Sequence, residues 1–256
     1  MCGIFGYLSL NGMNPSLERL RNLARITETR GRQAFGYAWM DRAGQIYTHK
    51  QPGRITDNLE LLDMMTDDCI AIIGHCRLPT NGTPQDNRNN HPHKAGSGWY
   101  VHNGTIRNYR WLINRFSIRT STGCDSEVLG LLYNKKRGRS AERIKHAIKK
   151  TESTGLTMAG LWPRHFALAH VSGRPLHIGW NRRGIYFASL RPHLPENVRR
   201  IVTDKLYEYE RDGDRWALTY RHEVKAKVIR KPKTPLSFRT WTEYTCRWEG
   251  GADGDH

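Results

Sequence analysis

A cysteine stands directly behind the initiator methionine, in Met1-Cys2-Gly3-Ile4-Phe5-Gly6. Its small side chain permits removal of that methionine, which leaves a thiol and a free α-amino group on one residue. Unperturbed, the amine titrates near ~8 and the thiol near ~8.5, so both are useful around neutrality. A terminal nucleophile with its own amine as base is a known solution to amide hydrolysis. The competing reading is a buried first strand in which the thiol packs as a small apolar group. His75-Cys76 and His91-Pro92-His93 offer metal-ligand residue types. No second Cys/His pair has structural-zinc spacing, however, so no metal is expected. A phosphate-cradling Gly-x-x-x-x-Gly-Lys loop and a dinucleotide fingerprint are both missing, and no cofactor is expected.

These groups need elements to hold them. Residues 3–10 have the pattern of a strand, Asn11-Gly12 of a turn, and residues 15–29 of a helix capped by Ser16. A hairpin is expected from strands 36–40 and 45–49 around Asp41-Arg42-Ala43-Gly44, then a short helix near 57–66 and a buried strand at 69–75. Residues 78–98 read as one long loop, a length that is usually functional. A strand at 99–102 is expected to end in an Asn103-Gly104 turn, followed by a helix at 107–116. Cys124-Asp125-Ser126-Glu127 heads another helix, with Asp125 or Ser126 as its cap. A basic helix at 140–150 and strands at 156–162, 164–171, 175–179 and 184–188 follow, then a hairpin from 205–210 and 214–220. Strands clustered with helices, without strict βαβ alternation, point to a layered α+β fold.

The chain has 256 residues, enough for one large domain or two small ones. With 41 Lys+Arg against 24 Asp+Glu, its net charge is +17, which implies polyanionic company: nucleic acid, nucleotides or an acidic partner. Mean hydropathy is −0.71, and no apolar run approaches the ~20 residues of a membrane span. Five scattered cysteines, with no basic leader and apolar stretch at the N-terminus, point to reduced thiols and a cytoplasmic location. Two segments are strongly basic, 135–150 and 221–239, the second with Phe238 and Trp241 nearby. Each is either a solvated face, a docking surface for an acidic partner, or a grip on a nucleic-acid backbone.

Five segments occur in order: Met1–Gly6, Arg30-Gly31, Gly74-His75-Cys76-Arg77-Leu78-Pro79-Thr80-Asn81-Gly82, His102-Asn103-Gly104, and Cys124-Asp125-Ser126-Glu127-Val128. Together they resemble the class II glutamine amidotransferases, and most closely the glutaminase domain of glucosamine-6-phosphate synthase. The resemblance covers residues 2–222 and implies a four-layer αββα sandwich, the N-terminal-nucleophile hydrolase fold. It implies hydrolysis of L-glutamine to glutamate and ammonia by Cys2. Asn103 (side-chain amide) and Gly104 (backbone N–H) match the oxyanion hole. Arg77 matches the clamp on the glutamine α-carboxylate, with Thr80 adding a hydroxyl. Asp125 matches the carboxylate that holds the substrate ammonium, and Arg30 an arginine beside the nucleophile. Taken singly, Asn103-Gly104 is a turn, Arg77 a surface cation and Asp125 a helix cap. A zwitterionic amino acid, though, requires one fixed cation, one fixed anion and an oxyanion hole, and this set supplies all three.

Some positions depart from the family pattern. Gln33 replaces the acid of Arg-Gly-x-Asp, and Leu78-Pro79 replaces an aromatic residue in the loop that closes over glutamine. No synthetase half is recognisable, so the ammonia is expected to go to a separate acceptor enzyme. Residues 223–256 are expected to form a basic, extended tail. The alternative function is a glutaminase-fold protein of low or no activity that binds nucleic acid or a partner through its basic surface.

Overall fold

The computed structural model describes residues 1–65, 68–201 and 203–228. Most of the expected tail, with Arg230, Lys231, Lys233, Phe238, Arg239 and Trp241, lies outside the described residues, as does Cys246.

The first sheet contains β1 (Gly3–Ser9), β2 (Ala34–Asp41), β3 (Ile46–Pro52), β4 (Cys69–Arg77), β9 (His177–Trp180), β10 (Gly184–Ala188) and β11 (Asn197–Arg200), in the order β11-β9-β10-β1-β4-β2-β3. The second contains β5 (His93–Ala95), β6 (Gly98–Ile106), β7 (Glu152–Leu161), β8 (His165–His170), β12 (Lys205–Asp212) and β13 (Arg215–Glu223), in the order β13-β12-β8-β7-β6-β5. Both are antiparallel, except that β14 (Lys227–Val228) pairs parallel to β7 at Glu152 and Ser153. The helices are α1 (Leu17–Glu28), α2 (Tyr109–Arg115), α3 (Glu127–Lys135) and α4 (Ser140–Lys150).

Strand alternation builds the layers. Ile4 and Leu8 of β1 face the second sheet and meet Val101, Leu161, Phe166 and Phe187 in the inter-sheet core. Phe5 and Tyr7 of the same strand face outward and pack with Leu20 and Leu23 of α1. On the far side, Leu156 and Met158 of β7 turn outward to Leu112 of α2, Val128 of α3 and Ile144 of α4. The result is helix, sheet, sheet, helix, the expected sandwich. Phe166 sits at its centre, edge-on to Phe187, Tyr209 and Trp216 at 5.7–6.2 Å between ring centroids. Each such fully buried ring contributes roughly 2–3 kcal/mol of transfer free energy.

Several local expectations need correction. Residues 78–98 are not one loop, since a 3₁₀ turn at Asn87–Asn89 and strand β5 interrupt them. Asn103-Gly104 is not a turn: β6 continues to Ile106 because Asn103 pairs with Thr157 and Gly104 with Leu156 of β7. The helix near 57–66 is a pair of 3₁₀ turns over Ile55–Met65, kinked at Asn58. Ser16 does cap α1, accepting the Arg19 N–H.

Candidate functional site

Pairing of the two central strands sets the geometry. Gly3 lies opposite Cys76 in the β1–β4 ladder, which brings the start of β1 beside the end of β4. Cys2 and Arg77 therefore lie at the same end of the two central strands of the first sheet. The thiol of Cys2 donates to Leu78 O at 3.3 Å, and Leu78 N–H approaches Sγ at 3.4 Å. Arg30 Nε donates to Cys2 O at 2.8 Å and fixes the backbone at the nucleophile. Gly31 is required for this close approach, because a Cβ there would lie 2.4 Å from the carbonyl carbon of Arg77. Burial pushes the Cys2 thiol up, opposed by the Leu78 N–H, the terminal amine and Arg77. A nearby positive group is thus needed for thiolate character.

Arg77 is 2% exposed, so it is not the surface cation that it resembles in isolation. Its Nη1 donates to Asn90 Oδ1 at 2.8 Å, and its Nη2 to the carbonyls of Asn81 and Gly82 at 2.5 and 3.0 Å. Asp125 is equally buried and caps no helix through its side chain. Its Oδ2 accepts the Ile106 N–H at 2.6 Å, and its Oδ1 accepts Asn81 Nδ2 at 3.3 Å. Burial raises the Asp125 carboxyl, while those donors and Arg77 pull it back. Ser126 takes the N-cap position of α3 without a side-chain cap, because its hydroxyl is engaged by His102 Nδ1 at 2.9 Å.

Asn81 bridges the two charged groups: its backbone carbonyl meets Arg77 and its side chain meets Asp125. The chain thus brings a fixed cation and a fixed anion to one loop. Asn103 is 2% exposed on β6, and its Nδ2 donor has no partner among the described residues. Gly104 follows, where a Cβ would lie 2.5 Å from Gly155 O, so only glycine lets the backbone run there. Thr80 and Leu78 stand exposed in the loop, and Gln33 is exposed beside it, its N–H donating to Arg77 O at 3.2 Å.

Sequence reasoning named His75, His91 and His93 only as metal-ligand types and missed that they form a buried group with His102. His75 and His91 lie tilted to each other at 4.1 Å between ring centroids, His91 and His93 meet edge-on at 4.5 Å, and His102 lies 6.5 Å from His91. His75 Nε2 donates to His102 O at 3.1 Å, across from the first sheet to the second. Burial pulls His75 and His102 down to about 3, and His91 and His93 well below the ordinary range, so all four are neutral near pH 7. Among the described residues, no three His, Cys, Asp or Glu are placed to hold a metal ion. Residues spread from position 75 to 102 converge only through strand pairing, a signal that one sequence does not carry. Arg174 was also missed. It neighbours Arg30 and the chain terminus, and both guanidiniums reach the Met1 sulfur, at 2.6 Å from Arg174 and 3.9 Å from Arg30.

No protein-family model matches the chain. It is 30% identical over 254 residues to a glutamine--fructose-6-phosphate aminotransferase [isomerizing] of Gluconobacter oxydans, an alignment that covers 93% of this chain and 39% of that protein. Identity is 39% over 209 residues to the protein of the same name from Symbiobacterium thermophilum, covering 79% and 34%. The chain therefore spans little more than a third of the length of these relatives. Among solved structures, it superposes on glutamine phosphoribosylpyrophosphate amidotransferase from B. subtilis with a TM-score of 0.71 at 18% identity, over 87% of this chain and 49% of that one. A glutamine aminotransferase class-II domain protein from Silicibacter pomeroyi gives 0.55 at 15% identity, over 88% of this chain and all of that one. No helix among the described residues is long and apolar enough to cross a membrane. Sequence likeness and fold agree, and the chain belongs with the class II glutamine amidotransferases of N-terminal-nucleophile type.

Proposed function

We propose that the chain, once Met1 is removed, hydrolyses L-glutamine to L-glutamate and ammonia through a thioester on Cys2. The sulfur attacks the side-chain amide carbon, and its proton passes by way of the α-amine to the departing nitrogen, which leaves as ammonia. Water then cleaves the thioester to release glutamate and restore the thiol. The tetrahedral oxyanion in each half takes the Asn103 amide and the Gly104 N–H, donors worth roughly 3–4 kcal/mol each where such groups have been removed. Arg77 grips the α-carboxylate with a planar fork, Thr80 adds a hydroxyl from the loop, and Asp125 holds the ammonium. Arg30 keeps the nucleophile's backbone in place.

The observation that carries this reading is the buried pair of opposite charges, Arg77 and Asp125, bridged by one loop residue beside the thiol. The unpartnered Asn103 amide is the donor that such a site needs. Residues 1–222 form the amidotransferase unit in this reading, and the first of the basic residues 223–256 stay with it, since Val224 is buried in its core and Lys227–Val228 pair with β7. In this reading the ammonia is passed to a separate acceptor enzyme.

Intact mass and glutamate release from the purified protein test the proposal. Loss of Met1, turnover of glutamine and complete loss of turnover in Cys2→Ala are expected. Processed protein that releases no glutamate would leave the inactive, partner-binding alternative. Amination of an acceptor by this chain alone would refute the separate enzyme.

A further inference from the structure

Away from that site, the helices over the second sheet carry an uncompensated positive surface. An open groove of about 430 Å³ runs between α2 and the end of α4, lined by Asn108, Trp111, Lys149, Lys150, Glu152 and Lys227. Lys149 also lines a second groove of about 300 Å³, with Lys145, Lys225 and Glu223. The two acids are already taken, Glu152 by Lys227 at 2.7 Å and Glu223 by Lys205 at 3.3 Å. Lys145, Lys149, Lys150 and Lys225 form no ion pair among the described residues. Arg107 just before α2, and Arg110 and Arg115 within it, are exposed as well.

At its rim stands Trp111, 56% exposed, the most exposed aromatic side chain among the described residues. An indole left in water beside unpaired cations matches the two halves of a strand of nucleic acid, a base that stacks and phosphates that pair. The floor is firm. Asn108 Nδ2 donates to Lys150 O at 3.0 Å, and Asn108 Oδ1 accepts the Glu152 N–H at 2.9 Å. Asn108 lies four residues beyond Gly104, so the groove continues the strand that carries the oxyanion candidates. Beyond Val228 the sequence adds Arg230, Lys231 and Lys233.

We infer that the groove between α2 and α4 binds single-stranded nucleic acid, with a base stacked on Trp111 and phosphates on Lys149, Lys150 and their neighbours. This goes beyond the glutaminase reading and does not depend on it. Duplex should bind less well, because its bases are not free to stack on the indole.

Fluorescence anisotropy of the full chain with a labelled 20-nucleotide mixed-sequence single strand, as DNA and as RNA, tests it against the matching duplex. Binding by either single strand is expected, with a slope of log affinity on log salt near about −3 if four phosphates are neutralised. Lys149→Glu with Lys150→Glu should weaken binding at least about tenfold and flatten that slope. Trp111→Ala should weaken single strands about tenfold and leave both the slope and the duplex affinity nearly unchanged. Glutamate release should be unaltered in both variants, which separates this result from any failure of the glutaminase reading. Three results would overturn the inference: no single-strand binding at 50 mM salt, binding indifferent to the groove variants, or displacement by polyglutamate as effective as by unlabelled strand. The last would assign the groove to an acidic protein.

Discussion

The site around Cys2 and the groove beside Trp111 treat charge in opposite ways. At the site, Arg77 and Asp125 are both 2% exposed, each with specific hydrogen-bond partners, and the nearby imidazoles are held neutral. At the groove, Lys149 and Lys150 stand exposed with no carboxylate partner among the described residues. Buried charges select one ligand, because any mismatch leaves an ion unpaired where water cannot help. Exposed charges attract a class of ligand, weakly per contact and under the control of salt. In the two readings proposed above, one molecule carries a small zwitterion site and a polyanion surface on different elements.

Substitutions can break this comparison in order of severity. Asn103→Ala is expected to lower kcat for glutamine by about 10²–10³-fold with little change in KM, since its amide would act only on the oxyanion. Steady-state glutamate release measures this, and an equal rise in KM would make Asn103 a ground-state contact. Asp125→Asn is expected to raise KM by at least about tenfold, the scale of a lost charged hydrogen bond. The same change should raise the Tm of the glutamine-free protein at pH 7. A carboxyl whose pKa is raised on folding favours the native state only below its unfolded value, and that contribution disappears as pH climbs through the folded one. The asparagine keeps an oxygen for the Ile106 N–H and sheds the buried charge. A lower Tm would show that the carboxylate is structural.

The histidines sharpen the contrast in the other direction. Their pKa values are lowered on folding, so their contribution is complete above about 6.5, the unfolded value, and is lost as pH falls below it, toward about 3 for His75 and His102. Four such groups predict a loss of about 4 kcal/mol between pH 6.5 and 5.5. Urea melts at the two pH values check this, and a pH-independent midpoint would refute it. The smallest effect is expected from Asn81→Ala. Removing an amide that competes for Asp125 should lower KM by about two- to fivefold. A higher KM would make Asn81 a partner of glutamine.

What could be read in advance followed from local pattern. Leu20 and Leu23 at helical spacing, with Ser16 ahead of them, are enough to define α1. The apolar run of β4 marks a strand buried on both faces. Reading failed where a distant partner outweighed local preference. Asn103-Gly104 has turn chemistry, but the ladder with β7 keeps it extended. Asp125 and Ser126 have cap chemistry, but Ile106 and His102 claim their oxygens. The strand Asn197–Arg200 is short and polar, and it exists only because β9 offers an edge. Of the candidate site, the chemical types were legible in the sequence. Burial of Arg77, the bridge through Asn81 and the histidine cluster were not, since each depends on which strands become neighbours.

One contact found between the sheets has a mechanical meaning. Two apolar faces pressed together fix how far apart they stand but resist sideways slip only through the fit of their side chains. The proton shared between the His75 ring and the carbonyl of His102 works like a dowel through two boards. Its length and angle tolerate little travel, so the strand tip bearing the guanidinium and the strand tip bearing the amide are held in phase. In the proposed reading, a site assembled from both boards keeps its dimensions before glutamine arrives.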